Sequence, residues 1–233
     1  MIKSAKRKVW VTYMYESEKE RLKNKKSFDI SDLRKILEIL RSGEGCPWDR
    51  EQTHESIVKG FIEETYEVVE AIEKRDSGLL CEELGDVLLQ IVFHSRIEEE
   101  KGIFSFDDVI TGVCSKMIVR HPHVFGDVRA DTSSEVLDNW DKIKAETKRQ
   151  SGLSEKLEAI AVTMPSLMRM QKIIHKSSKE KVEPEISLPD KNEDEAAAAL
   201  YEAVKRCEAL GVDAETALRH YCDAYIKDVK TAE

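Results

Sequence analysis

The chain has 233 residues, of which 36% are charged and 41% hydrophobic, and a formal net charge of -9. That length holds one large or two small domains with a real core, while the acidic balance argues against a nucleic-acid partner, because phosphate contacts demand a basic surface. No apolar run approaches the ~20 residues needed to span a bilayer and the first residues lack the apolar core of a signal peptide, so no membrane is expected and the location reads as cytoplasmic.

Residues 1–27 read as a basic extension, rich in Lys and Arg, with a small apolar cluster at Val9–Met14. An anion-binding arm is the functional alternative to a frayed extension or the remnant of a neighbouring domain, and the plain reading is preferred. Ser31 is placed to cap a helix through Leu33, Ile36, Leu37 and Leu40 that stops at Gly43. The glycines and proline of Gly43–Arg50 mark a loop carrying Trp48. A tryptophan there either plugs the core or stacks on a base.

Thr53 can cap the next helix, whose apolar residues at Val58, Phe61, Ile62, Tyr66, Val69 and Ile72 keep a helical period. On it Glu64 and Glu67, three apart, share a face, and Glu63 lies four before Glu67. After a turn at Asp76-Ser77-Gly78, a second helix runs through Glu82 to His94. Leu84, Val87, Leu88, Leu89, Ile91, Val92 and Phe93 make it apolar on nearly every side, the pattern of a buried helix, yet Glu83 and Asp86 sit within it, three apart. A short connection makes the two helices antiparallel neighbours, so four carboxylates can converge. Ionised acids in a partly buried site are tolerated only if protonated, paired with bases or holding a cation, and hard oxygen ligands select Mg2+ or Mn2+. The bland alternative is a solvated acidic face on the first helix. Glu83 and Asp86 inside an apolar helix weigh against it.

Ser105–Asp108 has the form of a capping box and opens a helix through Val109, Ile110, Val113, Met117 and Ile118, on which Lys116 and Arg120 share a face. His121-Pro122-His123 reads as a structural turn rather than a metal pair. Thr132–Glu135 is a second capping box, opening a helix with Leu137, Trp140, Ile143 and Lys144. Met164-Pro165 breaks the apolar periodicity of Leu157–Ile174, and Ser177–Asp194 reads as a polar linker. The tail, Glu195–Val229, is helical and broken at Gly211, with Leu200, Val204, Cys207 and Leu210 as its apolar stripe. Five cysteines, widely spaced and without a C-x-x-C pair, indicate neither a disulfide framework nor a zinc site. The whole reads as all-α.

Several segments together carry a resemblance: Glu63-Glu64-x-x-Glu67 followed by Glu83-x-x-Asp86, Gly45-Cys46-Pro47-Trp48-Asp49, Gln52-Thr53-His54, Phe93-His94-Ser95-Arg96, and Arg120–Gly126. Over about Phe28–Lys148 the chain resembles the MazG family of all-α nucleoside triphosphate pyrophosphohydrolases. The resemblance implies a helical bundle with its active site between the two acidic helices, completed by a homodimer or larger assembly. It implies an enzyme converting a nucleoside triphosphate to monophosphate and pyrophosphate, with Glu64, Glu67, Glu83 and Asp86 holding Mg2+, for which Mn2+ can substitute. Glu63 is then the candidate to orient or deprotonate the attacking water. Lys116 and Arg120 become phosphate contacts, and Trp48, Trp140 and Lys144 are expected to border the nucleotide. The catalytic domain is expected over 28–150. Residues 151–233 resemble a shortened second copy of the domain, with Ala198 where an aspartate would stand. Two rival readings stay open: a pyrophosphohydrolase specific for one substrate, such as a deoxynucleotide or phosphoribosyl-ATP, and a helical dimerisation or regulatory module without activity.

Overall fold

The computed structural model describes residues 15–147, 152–182 and 190–232, and all regular structure among them is helical. The apolar cluster at Val9–Met14 lies outside the described residues. The all-α expectation is met. A helical stretch over 15–23 (α1) is followed by α2 (Ile30–Leu40), α3 (Pro47–Glu51), α4 (His54–Lys74), α5 (Ser77–Lys101), α6 (Phe106–Arg120), α7 (Pro122–Phe125), α8 (Ser133–Thr147), α9 (Leu153–Glu158), α10 (Ser166–Lys179), α11 (Lys191–Ala209) and α12 (Ala214–Ala232). The chain divides into two compact units, residues 1–118 and 119–233. No helix among the described residues is long and apolar enough to cross a membrane.

The first unit is built on the antiparallel pair α4 and α5, with α2 packed against α5. Thr53 caps α4 as expected, its hydroxyl accepting from the Ser56 amide while Ser56 returns the bond to the Thr53 amide. The hairpin turn is tighter than the sequence suggests. Arg75 takes a left-handed conformation (φ 55°), and the Asp76 carboxylate accepts from the amides of Gly78 and Leu79, so Ser77 already begins α5. Leu37, Ile57, Val92, Phe93, Ile97 and Phe106 close one core, with Leu33, Ile36, Leu89 and Ile91 at its edge.

That core covers only one end of the hairpin. Val92, Phe93 and Ile97 are buried, whereas Leu84 is 51% exposed, Ile62 is 55% exposed, and Val58, Tyr66 and Leu88 are also exposed. The expectation of a buried α5 therefore holds for its second half alone, since α2 reaches that half and the described residues of the unit put no third helix over the first.

Two local assignments are corrected. The cap of α2 is Asp29 rather than Ser31: the Asp29 side chain accepts from the amides of Ser31 and Asp32, and Asp32 answers by accepting from the Asp29 amide. The segment read as a loop around Trp48 contains the short helix α3, with Pro47 at its first position, where a missing N–H costs nothing.

Within the second unit, Ile174, Val204 and Ala214 form a small core edged by Leu167, Met170, Tyr201 and Cys207. Pro165 opens α10, the break expected at Met164-Pro165. Gln171 joins α10 to the start of α12 through Val212 O and the Ala214 amide, both at 2.8 Å. The linker expected over Ser177–Asp194 is shortened at both ends by helix. At its far end Asp190 accepts from the amides of Asn192 and Glu193, which starts α11 early. The stripe expected on α11 is also rotated. Tyr201, Val204 and Cys207 meet the core, while Leu200 and Leu210 are exposed.

Two stability outcomes follow. Leu37, 1% exposed, sits at the centre of the first core, so Leu37→Ala should cost about 2–5 kcal/mol in chemical denaturation. Asp32 is buried between Lys25 and Arg21, and the Lys25 bond above all holds its carboxyl down to about 2, well under the ordinary 3.8. A depressed carboxyl stabilises the fold above its unfolded value and stops doing so as the pH falls through its folded value. Asp32→Asn should therefore melt below wild type at neutral pH, with the gap closing between 3.8 and about 2. A gap independent of pH over that range would contradict this account.

Candidate metal and nucleotide site

Antiparallel pairing of α4 and α5 sets Glu64 across from Glu83 and Asp86, near the turn end of the hairpin. One carboxylate oxygen from each of these three lies within 4.8 Å of the others. Glu83 is buried, and Glu64 and Asp86 are half-buried. Glu67, one turn on from Glu64 and exposed, lies outside that trio but near enough to raise the carboxyls of both Glu64 and Glu83. Burial first, then the charges of Asp86 and Glu67, push the Glu64 carboxyl above its ordinary range; burial first, then Glu67, does the same for Glu83. An all-oxygen set held together against its own repulsion suits a hard divalent cation.

Glu63, adjacent in sequence, points elsewhere. With Lys59, Ile62, Tyr66, Glu67 and Glu70 it lines an open cleft of about 360 Å³ along α4. Glu67 thus lines the cleft and lies beside the acid cluster. Lys59 was not singled out by sequence reasoning, although its spacing of four before Glu63 on a helix was a signal.

The remaining candidates occupy separate places. Trp48 is 64% exposed on α3, so it is not a core plug. Its helix is held to the first unit by Arg41, which donates to the carbonyls of Asp49 and Gln52 and pairs with Glu100. Lys116 is exposed on α6 in the first unit. Arg120, Trp140 and Lys144 belong to the second unit. There the Arg120 guanidinium is buried 5.2 Å from the centre of the Trp140 ring, and the His121 ring meets the edge of the same indole at 5.0 Å. Arg120 Nε is buried with no hydrogen-bond partner among the described residues. Lys144 is half-buried on α8. The His121 and His123 rings have centres 5.5 Å apart; His121 caps the short helix α7 and His123 is its second residue, so the segment read as a turn opens a helix.

A family model described as the MazG nucleotide pyrophosphohydrolase domain matches residues 52–125, a stretch that contains both acidic helices. The nucleoside triphosphate pyrophosphohydrolase/pyrophosphatase MazG of Thermotoga maritima is 38% identical over 222 residues, 88% of this chain and 85% of the relative. The nucleoside triphosphate pyrophosphohydrolase of Escherichia coli K12 is 46% identical over 145 residues, 62% of this chain and 55% of its own. The uncharacterized protein YabN of Bacillus subtilis is 46% identical over 145 residues, but the match spans only 29% of its length. The shared stretch is therefore about half of the first of these two longer relatives and under a third of the second. A relative of similar length, matched along most of both chains, and a domain match over the helices that carry the acid cluster together place this chain in the MazG nucleotide pyrophosphohydrolase family.

Proposed function

We propose that this protein is a metal-dependent nucleoside triphosphate pyrophosphohydrolase, cleaving between the α- and β-phosphates to yield a nucleoside monophosphate and pyrophosphate. The observation that carries the reading is the convergence of Glu64, Glu83 and Asp86 within 4.8 Å in a member of this family. Their oxygen-only donor set fits Mg2+ as the resident ion and admits Mn2+, and the carboxyls whose protonation burial and mutual charge favour gain a counter-ion by taking it up. Glu67 completes the set. When bound, such an ion offsets charge on the phosphate oxygens and on the departing pyrophosphate.

The chain's own groups supply the rest. Glu63, lining the cleft beside Glu67, is positioned to accept a proton from a water held there. Lys59 adds a cation to the same cleft. Lys116 and Arg120 serve as phosphate contacts; for Arg120 the support is a buried guanidinium whose Nε still has a proton to give. Trp48, exposed, and Trp140, already faced by a cation, serve as nucleobase neighbours, and Lys144 as a further substrate contact. The catalytic domain is taken as residues 28–150, and 151–233 contribute packing without chemistry, since Ala196–Ala199 offer no ligand for a hard cation.

Removal of divalent ions with chelator should stop turnover, and pyrophosphate, not orthophosphate, should be the first product in assays across ribo- and deoxynucleoside triphosphates. Glu67→Gln and Asp86→Asn should each lower kcat/KM by about 100-fold or more. Without metal, both variants should melt at or above wild type, because each removes one of several repelling acids. Near-normal activity in both would favour a solvated acidic face.

The exposed apolar residues Ile62, Tyr66, Leu84 and Leu88 support a homodimer, with a second copy covering the half of the hairpin that α2 leaves bare. Light scattering at micromolar concentration should give twice the chain mass or more; a strict monomer would overturn the assembly.

A further inference from the structure

At the end of the hairpin away from the turn, two histidines face each other across α4 and α5. His54, the first residue of α4, and His94 on α5 bring their Nδ1 atoms to 2.7 Å. Their rings are parallel within 3° with centres 5.0 Å apart. This is the separation of two rings lying edge to edge, with both nitrogens on the line between the centres, so the contact is an in-line hydrogen bond and not a stack of faces. One proton, and only one, fits between the two nitrogens.

The neighbours settle where the protons sit. His54 Nε2 lies 2.6 Å from Glu98 Oε1, and Glu98 is also held by Lys101 at 2.7 Å. The Lys101 bond and then the His54 bond keep the Glu98 carboxyl low, so it accepts and His54 Nε2 donates. Neutral His54 then has a lone pair at Nδ1, and His94 Nδ1 donates to it. That leaves His94 Nε2 buried and without a partner among the described residues. The ring nitrogen of the pair open to an added proton is His94 Nε2, which carries no hydrogen. A second has no place, because both Nδ1 atoms would carry hydrogens pointing at each other. The other groups facing the pair are Glu55, next to His54 on α4, and the Phe61 ring, 5.7 Å from His94. From α2, Arg41 is engaged by Glu100.

We propose that His54 and His94 are positioning residues that share one proton as a clamp on the open end of the α4/α5 hairpin, and that a second added proton opens it. The register of the hairpin links the clamp to the acid cluster. His54 lies opposite His94 and Glu64 opposite Glu83, and between them Gly60 lies against Gln90, so close that a Cβ there would meet the Gln90 amide at 3.3 Å. Rotation at the clamp therefore propagates along two tightly apposed helices towards Glu64, Glu83 and Asp86. Burial, then the His54 charge, keeps the His94 imidazole below its ordinary range, so opening belongs to mildly acidic conditions. The link to metal affinity rests on the function proposed above; the clamp itself does not.

The test is a titration of the full chain, labelled with 15N-histidine and free of metal, from about pH 8 to about pH 5 by NMR. Expected are one N–H on the Nδ1 pair, a first protonation that leaves one ring neutral, and a second that coincides with loss of amide exchange protection in the first turns of α4. Two rings that titrate independently, or protection that survives when both are charged, would overturn the clamp. His94→Gln keeps a donor to His54 but cannot take a charge, so protection should persist to lower pH; a profile equal to wild type would also overturn it. Mn2+ titrations read by electron paramagnetic resonance should show an extra loss of affinity of about tenfold in wild type on acidification, absent in His94→Gln. Equal losses in both would sink the coupling to the acid cluster. A wild type that binds no Mn2+ at neutral pH would instead refute the metal reading, with the histidine spectra still deciding the clamp.

Discussion

Carboxylates that repel one another have to be held together by something stronger than their own preference, and in this protein that something is the antiparallel pairing of α4 and α5. Glu64 comes from one helix and Glu83 and Asp86 from the other, so the cluster exists only while the hairpin keeps its register. The cost is visible in Glu64 and Glu83, whose carboxyls are pushed upwards by burial and by their neighbours. A fold that maximised stability alone would place apolar groups there, and strain of this kind is what a cation relieves.

The stabilising contacts are concentrated at the other end of the same hairpin. Leu37, Ile57, Val92, Phe93 and Ile97 form the core where α2 crosses, the Arg41–Glu100 pair ties α3 and α5 to α2, and His54 and His94 meet nearby. The acid end has the turn, the Asp76 cap and an exposed apolar surface. Stability and the proposed chemistry are thus separated along one pair of helices. An assembly that covers Leu84 and Leu88 would complete the hydrophobic burial without disturbing the packed end.

The second unit differs in kind. Its core among the described residues is small, Ile174, Val204 and Ala214, and Gln171 adds polar links to Val212 and Ala214. What it shares with the proposed chemistry is Arg120 beneath Trp140, a cation kept out of water by an aromatic face with one donor still unspent. Burying an arginine in this way is costly unless something anionic or aromatic compensates it, and the indole compensates only part.

Much of this was legible in the residues. Helical period, the Thr53, Ser105 and Thr132 caps and the break at Pro165 all follow from local rules, and local rules act within a few residues. Spacing three apart on two consecutive helices predicted four converging carboxylates, because a short turn leaves antiparallel pairing as the compact solution, and three of them, Glu64, Glu83 and Asp86, meet. Tertiary structure decided what depends on which surface a neighbour covers. A sequence of apolar residues around α5 cannot say that only its second half is buried, nor that α11 packs through Tyr201 rather than Leu200, since burial is a property of the contact and not of the side chain. Nor can it say that two histidines forty residues apart share a proton at 2.7 Å, which requires rotational phase and register fixed together across two helices.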